Sequence, residues 1–286
     1  MARTQRHIAD LPHALRSRDE LARRLAGRRL AVFVDYDGTL TPIAARPEDA
    51  VISDSMRERV RRLAERCPVC VVSGRDRRVV QELMRLDDLI VAGSHGFDIW
   101  SPAGGGIRRE EGARFQGLLR EVRARLEKET APIQGALVEP KSNSVAVHHR
   151  LVSEEERPKV EKIVRAILEE HPDELRVTPG KMVYEIQPKI DWDKGRAVLY
   201  LLEALGLDRE DVVPIYLGDD ITDEDAFAAL AGRGIGVFVG RAGDPEVADR
   251  PTSADYVLHT TDEVEQFLDM LIRWAAPAAG HGVASG

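Results

Sequence analysis

Cysteine is nearly absent from this sequence, because Cys67 and Cys70 in the segment CPVC are the only two among 286 residues. Two thiols cannot supply the four ligands of a structural zinc site. A redox-active pair usually places its first cysteine at a helix N-terminus, whereas this pair leads into VVSG, which has the pattern of a strand. We therefore predict two ordinary thiols at the start of a strand.

Long apolar runs are absent as well. No segment approaches the roughly 20 apolar residues that a bilayer-spanning helix needs. The opening segment, MARTQRHIADLPHALRSRDE, lacks the apolar stretch of a secretory signal. Its basic character is compatible with a transit peptide, but Asp10, Asp19 and Glu20 count against one. We expect a cytoplasmic protein without a membrane partner.

A surplus of positive charge is also missing, because 41 Lys and Arg face 49 Asp and Glu and the net charge is -8. That balance does not favour nucleic acid or anionic lipid as a partner, so a phosphorylated substrate would need a local basic site. The length allows one large domain or two modest ones. Nothing specifies a partner chain, and a monomer is compatible with the sequence.

Short apolar segments alternate with amphipathic ones from Leu30 onward, and each ends in small or polar residues. Continuous apolar strands that alternate with helices are typical of a parallel sheet covered on both faces. We therefore predict an α/β fold with a Rossmann-like parallel sheet. The predicted core strands are AVFVD, PVCVVSG, LIVAGSHG, VVPIYLGDD and GIGVFVG.

The middle of the chain follows a different pattern. Residues 107–188 predict the order helix, two strands, helix, two strands, and the alternation in SNSVAVHHR suits a sheet with one wet face. We therefore predict an inserted α+β domain over 107–188 within a core domain made of 30–106 and 189–274. Residues 1–29 form an N-terminal extension, and the small, polar segment 275–286 is predicted to be disordered.

The segment DYDGTL places Asp35 and Asp37 directly after the first core strand. Asp-Gly favours a hairpin turn, but the following TLTPIAARPED contains prolines that suit a returning strand poorly. A calcium loop of the EF-hand type needs its glycine at the sixth position, whereas Gly38 is fourth. The remaining interpretation is a catalytic pair beyond the carboxyl end of a parallel strand, where such sheets bind ligands. One carboxylate would attack phosphorus, and the other would transfer protons.

Two further strand ends and one helix start carry candidate residues. Ser73 in VVSGRD suits a phosphoryl oxygen and Arg75 an anion, although a serine before a helix is commonly an N-cap. Lys194 opens a helix, where the helix dipole disfavours a cation; it is either a phosphate contact or a solvated surface lysine.

The acidic segment LGDDITDED also follows an apolar strand. A helix start with Thr222 as N-cap explains its second half. It does not explain the adjacent carboxylates of Asp219 and Asp220, which repel each other unless a cation lies between them. Mg²⁺ is the cation that would hold carboxylates and phosphate oxygens together.

Taken in order, DxDGT, a later serine, a later lysine and GDDxTDE resemble the haloacid dehalogenase superfamily of phosphotransferases. The resemblance implies Asp35 as the nucleophile, Asp37 as the acid and base, and Ser73 and Lys194 as phosphate contacts. In that superfamily the ion-pumping ATPases carry threonine at the second aspartate, so Asp37 points to phosphatases and mutases. The implied Mg²⁺ ligands are Asp35, the carbonyl of Asp37 and Asp219, supported by Asp220 or Asp223.

From about Leu30 to Val239, which is most of its length, the chain resembles one family within that superfamily, the trehalose-6-phosphate phosphatases. That family shares the motifs found here as DYDGT, SGR, GSHG, EPKSNSVAVHHR, GKMVYEIQP and GDDITDEDAF. The resemblance implies a cap domain that closes over the site. Cross-strand ion pairing on a wet sheet face explains any one of these charged residues, whereas a sugar phosphate explains the set. The implied sugar or closure contacts are Arg75, His95, Gly96, Glu139, Lys141, Arg150, Lys181 and Glu185.

The activity implied by this resemblance is hydrolysis of trehalose 6-phosphate to trehalose and phosphate, the final step of trehalose biosynthesis. Alternatives are a phosphatase for another sugar phosphate, such as those of sucrose or glucosylglycerate, and a non-catalytic sugar-phosphate sensor on the same scaffold. A mutase is disfavoured because nothing marks a second phosphate site.

Overall fold

A computed structural model of the protein describes residues 6–44, 46–102, 108–110, 115–180, 182–190, 192–241, 243, 247 and 250–275. Within these residues the strands form an eight-stranded sheet, a four-stranded sheet and a two-stranded pair. The strands are β1 (Arg6–His7), β2 (Arg29–Val34), β3 (Val69–Val72), β4 (Ile90–Gly93), β5 (Asp98–Trp100), β6 (Arg108–Glu110), β7 (Leu137–Pro140), β8 (Val145–His148), β9 (Leu175–Gly180), β10 (Val183–Pro188), β11 (Val212–Gly218), β12 (Ile235–Val239), β13 (Pro251–Thr252) and β14 (Tyr256–Leu258).

Eight α-helices accompany these strands in the described part of the chain. They are α1 (Arg18–Leu25), α2 (Asp54–Ala64), α3 (Arg77–Met84), α4 (Gln116–Thr130), α5 (Arg157–Glu170), α6 (Lys194–Ala204), α7 (Glu224–Ala229) and α8 (Thr261–Trp274). No described helix combines the length and the apolar character that crossing a bilayer requires.

The eight-stranded sheet has the strand order β14-β12-β11-β2-β3-β4-β5-β6. Its first six strands are parallel, and β5 and β6 continue it antiparallel at one edge. The predicted α/β fold with a parallel core sheet is therefore confirmed. Because β11, β2 and β3 are neighbours, the residues that follow each of them meet at one edge of the sheet.

Both faces of the six parallel strands are buried, which is why these strands are predominantly apolar. Successive side chains of a strand point to opposite faces. Val32 and Val34 accordingly join an apolar cluster that includes α2 and α8, whereas Ala31 and Phe33 join one that includes α6 and α7. Each fully buried side chain of this size is worth about 1.5–3 kcal/mol, so the central strands are rigid supports for the residues at their ends.

The four-stranded sheet belongs to a separate part of the chain, residues 115–188, which we call the inserted unit. It starts later than the predicted insert of 107–188, because residues 108–110 form β6 of the large sheet. Its elements follow one another in the order α4, β7, β8, α5, β9, β10, and its strands form the antiparallel order β7-β8-β10-β9. The two helices pack on one face of this sheet through a third apolar cluster that includes Leu126, Val147 and Val164. The other face of this sheet is directed at the carboxyl edge of the large sheet.

The ends of the chain pack against the core where they are described. β1 pairs with β13, Ile8 and Leu21 are buried, and the amide of Ala14 donates to the carbonyl of Val257 at 3.0 Å. Residues 6–28 thus pack against the large sheet, with Leu21 in the apolar cluster on one face and Ile8 in the cluster on the other. At the other end, Ala275, the first residue of the segment predicted to be disordered, is buried against the core; residues 276–286 lie outside the described residues.

The two cysteines agree with their prediction. Both are free and buried, and Cys70 lies within β3. Burial raises the pKa of Cys67 to about 12, which keeps the thiol protonated and unreactive.

Candidate active site

Three buried aspartates meet at the carboxyl edge of the large sheet. Asp35 follows β2, Asp219 follows β11, and Asp223 lies in the 3-10 turn just beyond. Carboxylate oxygens of the three lie within 4.8 Å of one another. Burial raises the pKa of Asp35 well above its ordinary value; the charge of Lys194 opposes this rise, and the charges of Asp223 and Asp219 add to it. Such a cluster needs positive charge to remain ionised.

Lys194 supplies positive charge at the first position of α6. Its side chain is only 2% exposed, and Nζ lies 3.0 Å from Asp35 Oδ1 and 2.7 Å from Asp223 Oδ1. Burial alone would lower the pKa of Lys194, but the two carboxylates raise it above its ordinary value. The solvated surface lysine that the sequence left open is therefore wrong. Asp193 is the N-cap of α6, since its side chain accepts the amide of Arg196 at 2.8 Å.

Asp223 receives four hydrogen bonds, two on each carboxylate oxygen. Oδ1 accepts from the hydroxyl of Tyr216 at 2.6 Å and from Lys194 at 2.7 Å. Oδ2 accepts from the backbone amides of Asp219 at 3.0 Å and Asp220 at 2.9 Å. A carboxylate offers about four lone-pair positions, so all of them are occupied here. This aspartate ties the lysine to the backbone that presents Asp219.

The turn after β11 begins at Asp220, not at Thr222. The side chain of Asp220 accepts the amide of Ile221 at 2.7 Å, and together with Asp223 it forms a capping box around the short 3-10 helix 221–223. The expected N-cap role of Thr222 is therefore wrong, because aspartate caps as well as threonine and here stands two residues earlier. Thr222 instead lines the cleft described below.

Asp37 lies at the mouth of the site with its side chain 40% exposed. Both of its oxygens accept from Arg75, Oδ2 from Nε and Oδ1 from Nη2, each at 2.7 Å. The guanidinium also lies over the ring of Tyr36, 5.3 Å from its centroid. The sequence predicts Arg75 as a sugar or closure contact; in the structure its guanidinium contacts Asp37, the second aspartate of the DYDGT motif.

Gly38 allows the side chain of Asp219 to approach the turn that follows β2. Its φ is +76°, and a Cβ at this position would lie 2.1 Å from Asp219 Oδ2. The turn after β2 therefore requires glycine for its backbone conformation and for the close approach of Asp219.

Ser73 ends the neighbouring strand and is buried. Its Oγ accepts the amide of Arg75 at 3.1 Å, and its carbonyl accepts the amide of His95 at 2.8 Å. The serine does not cap α3, whose N-cap is Asp76. These bonds join the SGR and GSHG motifs into one loop pair, in which Ser94 and His95 have φ of 50° and 55°, a conformation that non-glycine residues adopt rarely.

His95 and Gly96 have different surroundings. Nε2 of His95 lies 3.3 Å from Glu185 Oε2 in the inserted unit. Gly96 is buried, and a Cβ there would lie 2.3 Å from the Cβ of Ala197 in α6. Of the two, His95 lines the cleft, while Gly96 provides the close approach of its loop to α6.

The inserted unit contacts this edge through its wet sheet face and the turn after β7. Lys141 lies 2.9 Å from Glu185 and donates to the carbonyl of Gly74 at 3.2 Å. Burial alone would raise the pKa of Glu185, but Lys141 and His95 lower it. Asp76 on the core side accepts the amide of Ser142 at 2.8 Å. Ion pairs and hydrogen bonds therefore join the two sides of the site.

A cleft of about 190 Å³ that opens to solvent lies between the two sides. Glu139, Lys141 and Arg150 form part of one wall, and Lys181 lies outside the described residues. Glu139 also accepts from His148, with 2.7 Å between Oε2 and Nε2. The catalytic and metal candidates that line the cleft are Asp35, Asp37, Lys194, Asp219 and Asp220.

Several residues of the site carry no signal in the sequence. Ile43 and Arg46 line the cleft from the loop that follows DYDGT, yet this loop has no periodicity or motif that marks it. Tyr216 is hidden in the apolar run of β11 and reads as an ordinary core residue. Only its hydrogen bond to a residue seven positions later reveals it.

Comparisons with known proteins place this geometry in a family. The family described as trehalose-phosphatase matches residues 33–262. Probable trehalose-phosphate phosphatase 3 of Oryza sativa subsp. japonica is 40% identical over 279 residues, covering 92% of this chain and 74% of that protein. Trehalose 6-phosphate phosphatase RA3 of Zea mays is 41% identical over 275 residues, covering 91% and 74%.

A solved structure agrees on the fold. The C-terminal domain of Candida albicans trehalose-6-phosphate phosphatase matches with a TM-score of 0.78, covering 93% of this chain and 100% of that one at 22% identity. At that identity the likeness supports the fold alone.

Proposed function

This chain belongs to the trehalose-phosphatase family, and we propose that it hydrolyses trehalose 6-phosphate to trehalose and inorganic phosphate. The observation that carries the proposal is the buried pair of Asp35 and Lys194, 3.0 Å apart, at the floor of a cleft with a polar opposite wall. A carboxylate nucleophile held beside a fixed cation is suited to attack on an anionic phosphate.

In the first step, a carboxylate oxygen of Asp35 attacks phosphorus, and the bond between phosphorus and the sugar oxygen breaks. Asp37 gives its proton to that oxygen, so trehalose leaves as a neutral alcohol. In the second step, Asp37 takes a proton from water, and the water oxygen attacks phosphorus. Phosphate departs and Asp35 regains its carboxylate. In this structure Arg75 donates to both oxygens of Asp37. Asp37 would therefore take up the proton for the first step from solvent as one of these bonds opens, and the remaining bond would orient it at the cleft mouth.

The donor set fits Mg²⁺, a cation that prefers oxygen ligands. Asp35 and Asp219 present carboxylates at the same edge, and we propose that they hold the ion together with the carbonyl of Asp37. Because the oxygens of Asp223 already accept four hydrogen bonds, we propose that it supports the site and does not ligate the ion directly. Asp220 caps its turn and would act at most through water. When bound, Mg²⁺ would neutralise charge on the phosphoryl oxygens.

The inserted unit would act as a cap that recognises the sugar and excludes water. Glu139, Lys141, Arg150 and Glu185 offer acceptors and donors for sugar hydroxyls, and Lys181 is proposed with them from its motif. The bonds that already cross the cleft, Lys141 to Gly74 and Ser142 to Asp76, describe a closed arrangement. Closure of this kind protects an acyl-phosphate intermediate from premature side reactions.

Phosphate release from a panel of sugar phosphates tests this proposal. With Mg²⁺ present, we expect trehalose 6-phosphate to give a kcat/KM at least about a hundredfold above sucrose 6-phosphate, glucosylglycerate phosphate and glucose 6-phosphate, because unmatched polar groups in a closed site are costly. Comparable values across the panel would contradict the trehalose assignment. Tight binding of trehalose 6-phosphate without phosphate release would instead indicate a sensor.

Glycine at position 38 gives a second prediction. Gly38→Ala should lower phosphate release by at least about tenfold, because an added Cβ would push Asp219 from its place, and should destabilise the fold by about 1–3 kcal/mol. Steady-state kinetics and urea unfolding measure the two effects.

Gly27→Ala is the matched control for Gly38→Ala. Its φ is +71°, close to that of Gly38, but nothing lies within 4 Å of the added Cβ. Gly27→Ala therefore introduces the strain of a positive φ without a steric clash, so its kcat should equal that of the wild type. Equal activity in the two variants would contradict the proposed role of the close approach at Gly38.

A further inference from the structure

Tyr216 contributes the only side-chain hydroxyl among the donors recorded on Asp223. It lies on β11, two residues before the strand ends, and is fully buried. Its ring packs edge-on against Phe227, with centroids 5.6 Å apart and an interplanar angle of 83°. Burial and the nearby carboxylates raise the pKa of Tyr216 well above its ordinary value. The hydroxyl therefore stays protonated and acts as a donor.

The hydroxyl shares one oxygen atom with the catalytic lysine. Oδ1 of Asp223 accepts from Tyr216 at 2.6 Å and from Lys194 at 2.7 Å, and the same ammonium lies 3.0 Å from Asp35. The Lys194 ammonium thus contacts two carboxylates at once. A second donor on Oδ1 weakens the hold of Asp223 on the lysine and fixes the direction from which the lysine approaches.

We propose that Tyr216 is a positioning residue of the active site: its hydroxyl sets the place of Asp223 and, through it, the place of the Lys194 ammonium beside Asp35. The proposal rests on the proposed function, in which Asp35 is the nucleophile. Tyr216 does not line the cleft, so its proposed role involves no contact with the substrate.

A merely structural role is the competing explanation, because any buried tyrosine loses a hydrogen bond when it becomes phenylalanine. The chain offers a matched control in Tyr256. That residue is also buried, with 1% exposure, and its hydroxyl donates to a carboxylate oxygen of Glu20 at 2.7 Å. It lies on β14, two strands away from β11, and does not line the cleft.

The test compares Tyr216→Phe with Tyr256→Phe. Urea unfolding should show a loss of stability in both variants, because each removes a buried hydroxyl that donates to a carboxylate. The loss should be larger in Tyr216→Phe, because Asp223 is buried whereas Glu20 is exposed. With trehalose 6-phosphate and saturating Mg²⁺, Tyr216→Phe should lower kcat about tenfold with KM changed by less than about twofold, since the lost interaction acts on the nucleophile and not on sugar binding. Tyr256→Phe should leave both constants within about twofold of the wild type.

A binding measurement provides a readout independent of turnover. Beryllium fluoride imitates a phosphoryl group on a carboxylate, and its affinity for the folded protein with Mg²⁺ is measurable by calorimetry. Tyr216→Phe should weaken it by about tenfold and Tyr256→Phe should not. If Tyr216→Phe loses stability but keeps the wild-type kcat and beryllium fluoride affinity, the positioning role is overturned. A wild-type protein inactive on trehalose 6-phosphate would contradict the proposed substrate instead, and the beryllium fluoride comparison would still decide the role of Tyr216.

Discussion

Replacing Asp35 with asparagine is expected to reduce phosphate release from trehalose 6-phosphate by more than about a thousandfold, because the amide cannot attack phosphorus. Asparagine has nearly the same shape and can still accept from Lys194, so the fold should persist. The measurement is phosphate release at saturating Mg²⁺, accompanied by circular dichroism and urea unfolding to establish that the variant is folded.

The control for Asp35→Asn is Asp54→Asn, the same chemical change at a side chain that is 99% exposed. It should retain wild-type turnover. Activity of Asp35→Asn within about tenfold of the wild type, in a folded sample, would show that Asp35 is not the nucleophile.

Replacing Lys194 with methionine is expected to affect both activity and stability. The substitution keeps most of the apolar volume but leaves the carboxylates of Asp35 and Asp223 buried without their shared cation. Breaking a buried ion pair in this way costs about 3–5 kcal/mol. Turnover should fall by more than about a hundredfold, because the charge that faces the phosphate is lost. Urea unfolding and steady-state kinetics measure the two effects.

The stability loss of Lys194→Met should depend on pH. The folded-state pKa of Asp35 is already raised above its ordinary value of 3.8, and removal of the lysine raises it further. A carboxyl with a raised pKa weakens the folded state as pH increases from 3.8 through the folded-state pKa. The difference from the wild type should therefore be smallest near pH 4 and grow toward pH 7, measured in a chelator so that no divalent ion compensates.

The exposed Lys159, with a side chain 64% exposed, provides the control for that substitution. Lys159→Met should match the wild type in stability to within about 0.5 kcal/mol at every pH. A Lys194→Met protein as stable as this control at pH 7 would contradict the structural role of the buried ammonium.

The parts of the fold that the sequence predicted are those with strong local patterns. The apolar runs of β2 and β11 are buried on both faces, so they read as core strands without knowledge of their partners. β14 was not predicted because three residues are too few for periodicity to be recognised. The antiparallel strands β5 and β6 are also only three residues long.

The sequence was sufficient to predict many residues of the candidate site, but not which of their side chains contact one another. Asp35, Lys194 and Asp219 were identified because each stands at a strand end or helix start in a known order of motifs. The pairing of Arg75 with Asp37 and of Tyr216 with Asp223 depends on loop geometry and side-chain direction, which no local pattern encodes. For the same reason the cap of the acidic turn was assigned to Thr222, although Asp220 was equally suited and is the residue used.

In the proposed reaction, Asp35 carries the phosphoryl group between the two half-reactions. The most direct test of this role is acid quenching of a single turnover with phosphorus-labelled trehalose 6-phosphate, followed by peptide mapping. The Asp37→Asn variant is included because loss of this acid and base slows both formation and hydrolysis of the intermediate. We predict transient label on the peptide that contains Asp35 in the wild type, and label on it that forms more slowly and persists longer in Asp37→Asn. Label on any other residue, or label that passes straight to free phosphate in both proteins at every time point, would contradict the account.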